Sequence, residues 1–146
     1  MADATTLAVQ AIEDRIRDNI ADFDLITLDR VAWQGMDFQP GEEDWMRPVT
    51  LWAESDWFTD GVTGTGVNVV PGILTVSFYT PPGYGFSALD AYASAWRALF
   101  DRVLIAVTGH GGVQFGPAGG PRPGPPDSGW ISNIIDTPFH IEEHGS

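Results

Sequence analysis

Pro71-Gly72-Ile73-Leu74-Thr75-Val76-Ser77-Phe78-Tyr79 runs into Thr80-Pro81-Pro82-Gly83-Tyr84-Gly85, and Ser87 to Val107 follows. The fold turns on this stretch. From Ile73 to Tyr79 the pattern alternates. Leu74, Val76 and Phe78 point one way, Thr75 and Ser77 the other, and that two-residue period predicts a β-strand. The proline pair cannot donate to a ladder and the glycines admit positive φ, so the strand should stop in a turn. Beyond it, Leu89, Tyr92, Trp96, Leu99, Phe100, Val103 and Val107 recur at three- and four-residue spacing, the mark of an amphipathic helix. Ser87 is the expected N-cap, with Asp90 three residues on completing a capping box. Gly109 is the expected stop. A helix of ~18 residues would be about 27 Å long, enough to cross a small sheet. Strand and helix should share one core.

Working outward, Thr5 to Ile20 reads as a first helix, with Val9, Ile12, Ile16 and Ile20 on its apolar face and its charges largely off that face. Asp22-Phe23-Asp24 breaks the pattern. Arg30 to Phe38 and Trp45 to Ser55 are predicted strands, separated by the polar turn Gln39 to Asp44. Pro48 implies that the second begins at a sheet edge or outside the ladder. Residues 56–70, with Gly61, Gly64 and Gly66, are predicted to form a flexible loop. Trp57 and Phe58 beside it either mark a partner surface or tuck into the core. His110 to Phe115 is a short strand candidate. Residues 116–129, dominated by proline and glycine, read as an extended excursion. Trp130 to Phe139 returns to strand character. The expectation is one α+β domain over residues 1–146, in the order α-β-β-β-α-β-β, with two helices packed on one face of a mainly antiparallel or mixed sheet.

Composition narrows the function classes. The chain has 146 residues, no cysteine and a formal net charge of -13, and all seven of its cations are arginines. Disulfides, thiol chemistry and cysteine-ligated zinc are excluded. Such charge disfavours a phosphate-neutralising nucleic-acid site and binding to anionic membrane surfaces. No apolar run reaches the ~20 residues of a membrane span, and the first residues lack the pattern of a signal peptide, so an intracellular product is expected.

Motifs for catalysis are weak. Gly61-Val62-Thr63-Gly64-Thr65-Gly66 lacks the dinucleotide spacing, has no following lysine and leads into Val67 to Val70 rather than a helix, so no anion site forms. His140 and His144 stand four apart, a metal-sharing spacing on a helix, but the segment reads as a tail after Pro138 with no helix of its own. Ser77, Ser87 and Ser94 lack a nucleophile-elbow context. Carboxylates such as Asp56 and Asp60, with tryptophans as a platform, leave a carbohydrate-cleaving alternative, which needs one buried carboxyl of raised pKa.

The order of landmarks says more than any motif. An N-terminal helix precedes Phe38-Gln39-Pro40, an acidic turn and Trp45-Met46-Arg47. A glycine-bearing loop and Pro71-Gly72-Ile73-Leu74-Thr75-Val76 follow, then Pro82-Gly83-Tyr84-Gly85, a helix with Ala91, Ala95 and Phe100, and a closing strand opened by Trp130. Over nearly its whole length the chain resembles the tail-terminator proteins of long-tailed phages, the minor tail protein U-like group. Residues 116–129 depart from the pattern. The resemblance implies a structural virion protein, assembled in the host cytoplasm, with no catalytic residue, metal or cofactor. It implies a ring of about six copies capping the head-proximal end of the tail, with the chain itself, the tail tube protein and the head-tail connector protein as partners. Another neck or tail-completion protein of the same fold is the alternative. Candidate interface residues are Arg47, Trp57, Phe58, Gly61, Gly64, Gly66 and Arg97, with Arg47 and Arg97 able to pair across a subunit contact or to serve their own subunit.

Overall fold

A computed structural model describes residues 4–23, 26–53, 56–57, 67–83, 86–107, 111–125 and 129–144. Two long strands form its spine. β3 (Val67–Thr80) and β7 (Ile131–His144) pair antiparallel over their full length, from Val67 opposite His144 to Thr80 opposite Ile131. Because β7 occupies one edge of β3 throughout, β1 (Trp45–Trp52) and β2 (Asp56–Trp57) share the other. β5 (Val113–Phe115) and β6 (Gly119–Pro123) likewise share the far edge of β7, and β4 (Leu104–Ile105) lies outside β5. Every paired strand in this seven-stranded sheet is antiparallel to its neighbour. The helices α1 (Ala4–Asp18) and α2 (Ser87–Phe100) pack into one core with a single face of it. The α+β class predicted from the sequence is the class observed.

Both central strands contain a proline, which can donate no ladder hydrogen bond. The breaks in the flanking strands resolve this. Ala53 N–H donates to Pro71 O at 2.9 Å, so Pro71 turns its polar side toward the gap between β1, ending at Trp52, and β2, starting at Asp56. Gly116 N–H donates to Pro138 O at 2.8 Å, which turns Pro138 toward the gap between β5 and β6. In extended backbone a residue's N–H and C=O point the same way, so each missing donor falls where no ladder partner stands.

The core lies between this sheet face and the helices. α1 contributes Ala4, Ala8, Ile12 and Ile16, spaced by four residues, with Val9 and Ile20 only half-buried. α2 contributes Leu89, Tyr92, Trp96, Leu99 and Phe100. Leu74, Val76 and Phe78 of β3 meet them as the alternation requires, and Trp96, fully buried, stands edge-on to Phe78 with ring centroids 5.9 Å apart. Phe23, in a 3-10 turn over Ile20–Phe23, stacks on Phe78 at 5.8 Å; the sequence pattern read this segment only as a break.

Several boundaries differ from the sequence expectation. Residues 30–38 do not form a strand. A 3-10 turn, Leu28–Arg30, leads to a single parallel bridge between Val31 and Met46. α1 ends at Asp18 rather than Ile20, and α2 ends at Phe100 rather than near Val107. There Arg102 adopts φ 57°, its N–H donates to Gly116 O at 3.0 Å, and Val103 O accepts from Phe115 N–H at 2.8 Å. The chain is thus captured by the sheet. Ser87 is the first helical residue, not the cap; Phe86 holds that position, without a side-chain cap hydrogen bond. β3 begins at Val67, so the predicted 56–70 loop shortens at both ends, while residues 58–66 lie outside the described residues. The 116–129 excursion contributes edge strand β6, and the predicted tail after Pro138 is the end of β7.

Candidate functional site: the uncovered face of the sheet

The opposite face of the sheet carries the odd-numbered residues of β1 and β3 and the even-numbered residues of β7. Register lines them up in rows: Leu51–Ile73–Pro138, Val49–Thr75–Asp136, Arg47–Ser77–Ile134 and Trp45–Tyr79–Ser132. No described helix covers this face. Leu51 is 55% and Ile73 43% exposed, although they stand directly opposite one another, and Pro138 is exposed beside them. Contiguous exposed apolar side chains on a well-formed sheet mark an interaction surface.

One end of the face closes on itself. Trp45 stacks on Tyr79 with centroids 4.0 Å apart, and Phe38 and Trp130 approach Trp45 at 5.0 and 5.9 Å. Trp45 is thereby buried. Arg47 lies over its ring at 5.1 Å, a cation–π placement. A cavity of about 310 Å³, lined by Gln34, Met36, Phe38, Arg47 and Val49 among others, continues the patch around the sheet edge. Met36, 69% exposed, stands at its rim.

The arginines account for themselves one by one. Arg15 Nε donates to Leu99 O at 2.7 Å, and Arg97 Nη2 to Ala118 O at 3.1 Å. Arg30 donates to the carbonyls of Pro40, Glu43 and Asp44. Arg17, Arg102 and Arg122 pair with Asp14, Asp101 and Asp136. Arg47 alone has neither a carboxylate nor a carbonyl partner among the described residues, in a chain of net charge -13.

The free edge of β1, by contrast, is capped. Ala32 N–H donates to Met46 O at 2.8 Å, Pro48 has no donor, and the Gln34 side-chain amide takes both polar groups of Thr50, at 2.9 and 3.2 Å. An edge so occupied resists strand addition.

Of the residues singled out from sequence, Arg47 is on this face and Arg97 is in the helix layer, bonded to its own chain, so the two do not converge. Trp57 is a strand residue opposite Asn68. Phe58, Gly61, Gly64 and Gly66 lie outside the described residues, as does Asp60 of the carbohydrate-cleaving alternative. His140 and His144 are on one strand, where four residues span about 13 Å; that is too far for the shared site a helix would offer. Among the described residues no group of three His, Asp or Glu is placed to hold a metal, and no helix is long and apolar enough to cross a membrane. Sequence reasoning missed the exposure of Leu51, Ile73 and Met36. It also missed buried Asp44, whose carboxylate accepts from the hydroxyls of Thr80, at 2.9 Å, and Tyr92. That arrangement clasps the turn before β1 to β3 and α2.

No family model and no curated protein matches the chain. Solved structures do. A structure that carries no functional description aligns with a TM-score of 0.67 at 20% identity, covering 98% of this chain and 97% of its own. A chain from the virion of a native gene transfer agent particle aligns with a TM-score of 0.54 at 15% identity, covering 97% of this chain and 98% of its own. At these identities the likeness establishes a shared fold, and it does so from end to end.

Proposed function

We propose that the chain is a structural protein of a phage-type virion and acts as a tail terminator. In this reading about six copies form a ring at the head-proximal end of the tail tube, stop its polymerisation and give the head connector a docking surface. The observation that carries it is the end-to-end fold likeness to a chain of a gene transfer agent virion. The order of sequence landmarks supports the terminator assignment, and an apolar sheet face left uncovered suits a protein that works by assembling. The protein is a scaffold rather than an enzyme and takes no cofactor.

Six copies would carry six times the formal charge of -13, so repulsion opposes the ring at low salt, where the screening length is ~30 Å, and fades near 0.15 M, where it is ~8 Å. Native mass spectrometry across that range should show the ring gaining population with salt. Purified tubes capped by the protein should cease to elongate. A chain that neither self-associates nor caps tubes overturns the reading. The same fold likeness supports a second position, in the neck or at tail completion; there the protein would bind heads or connectors and leave tube growth unaffected.

A further inference from the structure

We infer that the uncovered sheet face is the subunit contact, and that its occupant is the acidic helix layer of a second copy of this chain. The inference rests on the ring reading and specifies its interface. Three observations meet here. The patch around Leu51 and Ile73 is apolar and exposed. Arg47, two rows along the same face, has no anionic partner among the described residues of its own chain. The opposite side of the molecule presents carboxylates: Asp18 and Asp22 are exposed on α1 and in the turn after it, while the exposed Arg17 there pairs with Asp14 and Arg15 is held by Leu99 O.

Charge decides the pairing. Face against face would cover the apolar rows but leave Arg47 opposite a face whose Asp136 is already paired with Arg122. Face against helices brings Arg47 to carboxylates and gives the open sheet the second covering layer that its inner side already has. Geometry agrees. Sheet face and helix layer are opposite sides of a two-layer molecule, so each copy can hold a neighbour on both sides. A head-to-tail contact of that kind generates a ring where its rotation closes and a filament where it does not, whereas a face-to-face contact ends at a dimer. The capped edge of β1 removes strand addition at that edge as a competing mode.

The absence of cysteine makes the test direct. A chain carrying both Leu51→Cys and Asp18→Cys, two exposed positions, is treated at physiological salt with a short bismaleimide. The expected product is a ladder of covalent oligomers ending at the ring. Leu51→Cys alone should give no dimer, and mixing the two single variants should give dimer only. Arg47→Glu should weaken self-association about tenfold or more, while the dilute subunit loses only the contact with the Trp45 ring and melts at most a few degrees lower. If native mass spectrometry shows the ring but the double variant stays uncrosslinked, or Leu51→Cys alone dimerises, this interface is wrong and the ring stands. If the wild-type chain stays monomeric at high concentration and on tube ends, the ring and this contact fall together.

Discussion

Replacing Trp96 with alanine probes the packing on which every other surface depends. Trp96 has no exposed area and touches three rings: Phe100 at 4.5 Å, Phe78 at 5.9 Å and Phe23 at 6.2 Å between centroids. Truncation removes the indole from between α2, β3 and the turn after α1, and these cannot all close on the space. The expected cost is about 3–5 kcal/mol. At roughly 2–4 °C per kcal/mol for a chain of this size, the melting temperature should fall by about 6–20 °C. Trp96→Phe separates packing from polarity. The indole N–H has no hydrogen-bond partner among the described residues, so phenylalanine discards an unsatisfied donor while keeping one ring; it should cost about 1–2 kcal/mol. The assay is urea denaturation of the dilute subunit, where assembly does not add stability, with the midpoint shifting at constant slope. A loss below about 1 kcal/mol for Trp96→Ala would refute the placement of this ring at the centre of the core.

Asp44→Ala should take their buried acceptor from the hydroxyls of Thr80 and Tyr92 and cost about 1–3 kcal/mol by the same denaturation assay, while Asp44→Asn, which keeps an acceptor, should cost less. Gly72→Ala should destabilise by about 1–3 kcal/mol, because its methyl would approach Phe139 Cζ to 2.6 Å and Leu51 O to 2.9 Å; a neutral melt would show that the ring swings aside freely. Gln34→Ala should cost only about 1 kcal/mol yet free the edge of β1, so light scattering on heating should rise at unchanged charge; equal scattering would deny the amide its capping role.

The central strand, both helices and the faces they bury were legible because each is written in a local period. The failures have local causes too. Val103 and Val107 lie four apart, which fits a helix, but four is also twice two. Val103, Ile105 and Val107 pack on the core while Leu104 and Ala106 are exposed, the alternation of extended chain. Only the hydrogen bonds of Arg102 and Val103 to Gly116 and Phe115, distant in sequence, decide between the two periods. The two central strands are longer than their sequence pattern for a related reason. The alternation is legible only from Ile73 and the closing strand only to Phe139, whereas β3 runs through Pro71 and β7 beyond Pro138, because a lost ladder bond costs little where the neighbouring edge is broken.

The candidate interface was legible in one residue and hidden in the rest. Arg47 stands out in any acidic chain, but its lack of a partner emerges only when six other arginines have been placed. Leu51, Ile73 and Pro138 look like ordinary core residues of three separate strands. They become a surface because register sets them in one row on the side the helices do not cover. A slip of one residue in β1 would turn Leu51 inward and carry Thr50 and Trp52 out. Gly72 opposes that slip: it leaves room on the core side for Phe139 and for Trp52, whose ring meets Phe139 edge-on at 5.2 Å. The glycine that orders the inside thereby determines which apolar side chains are left for a partner outside.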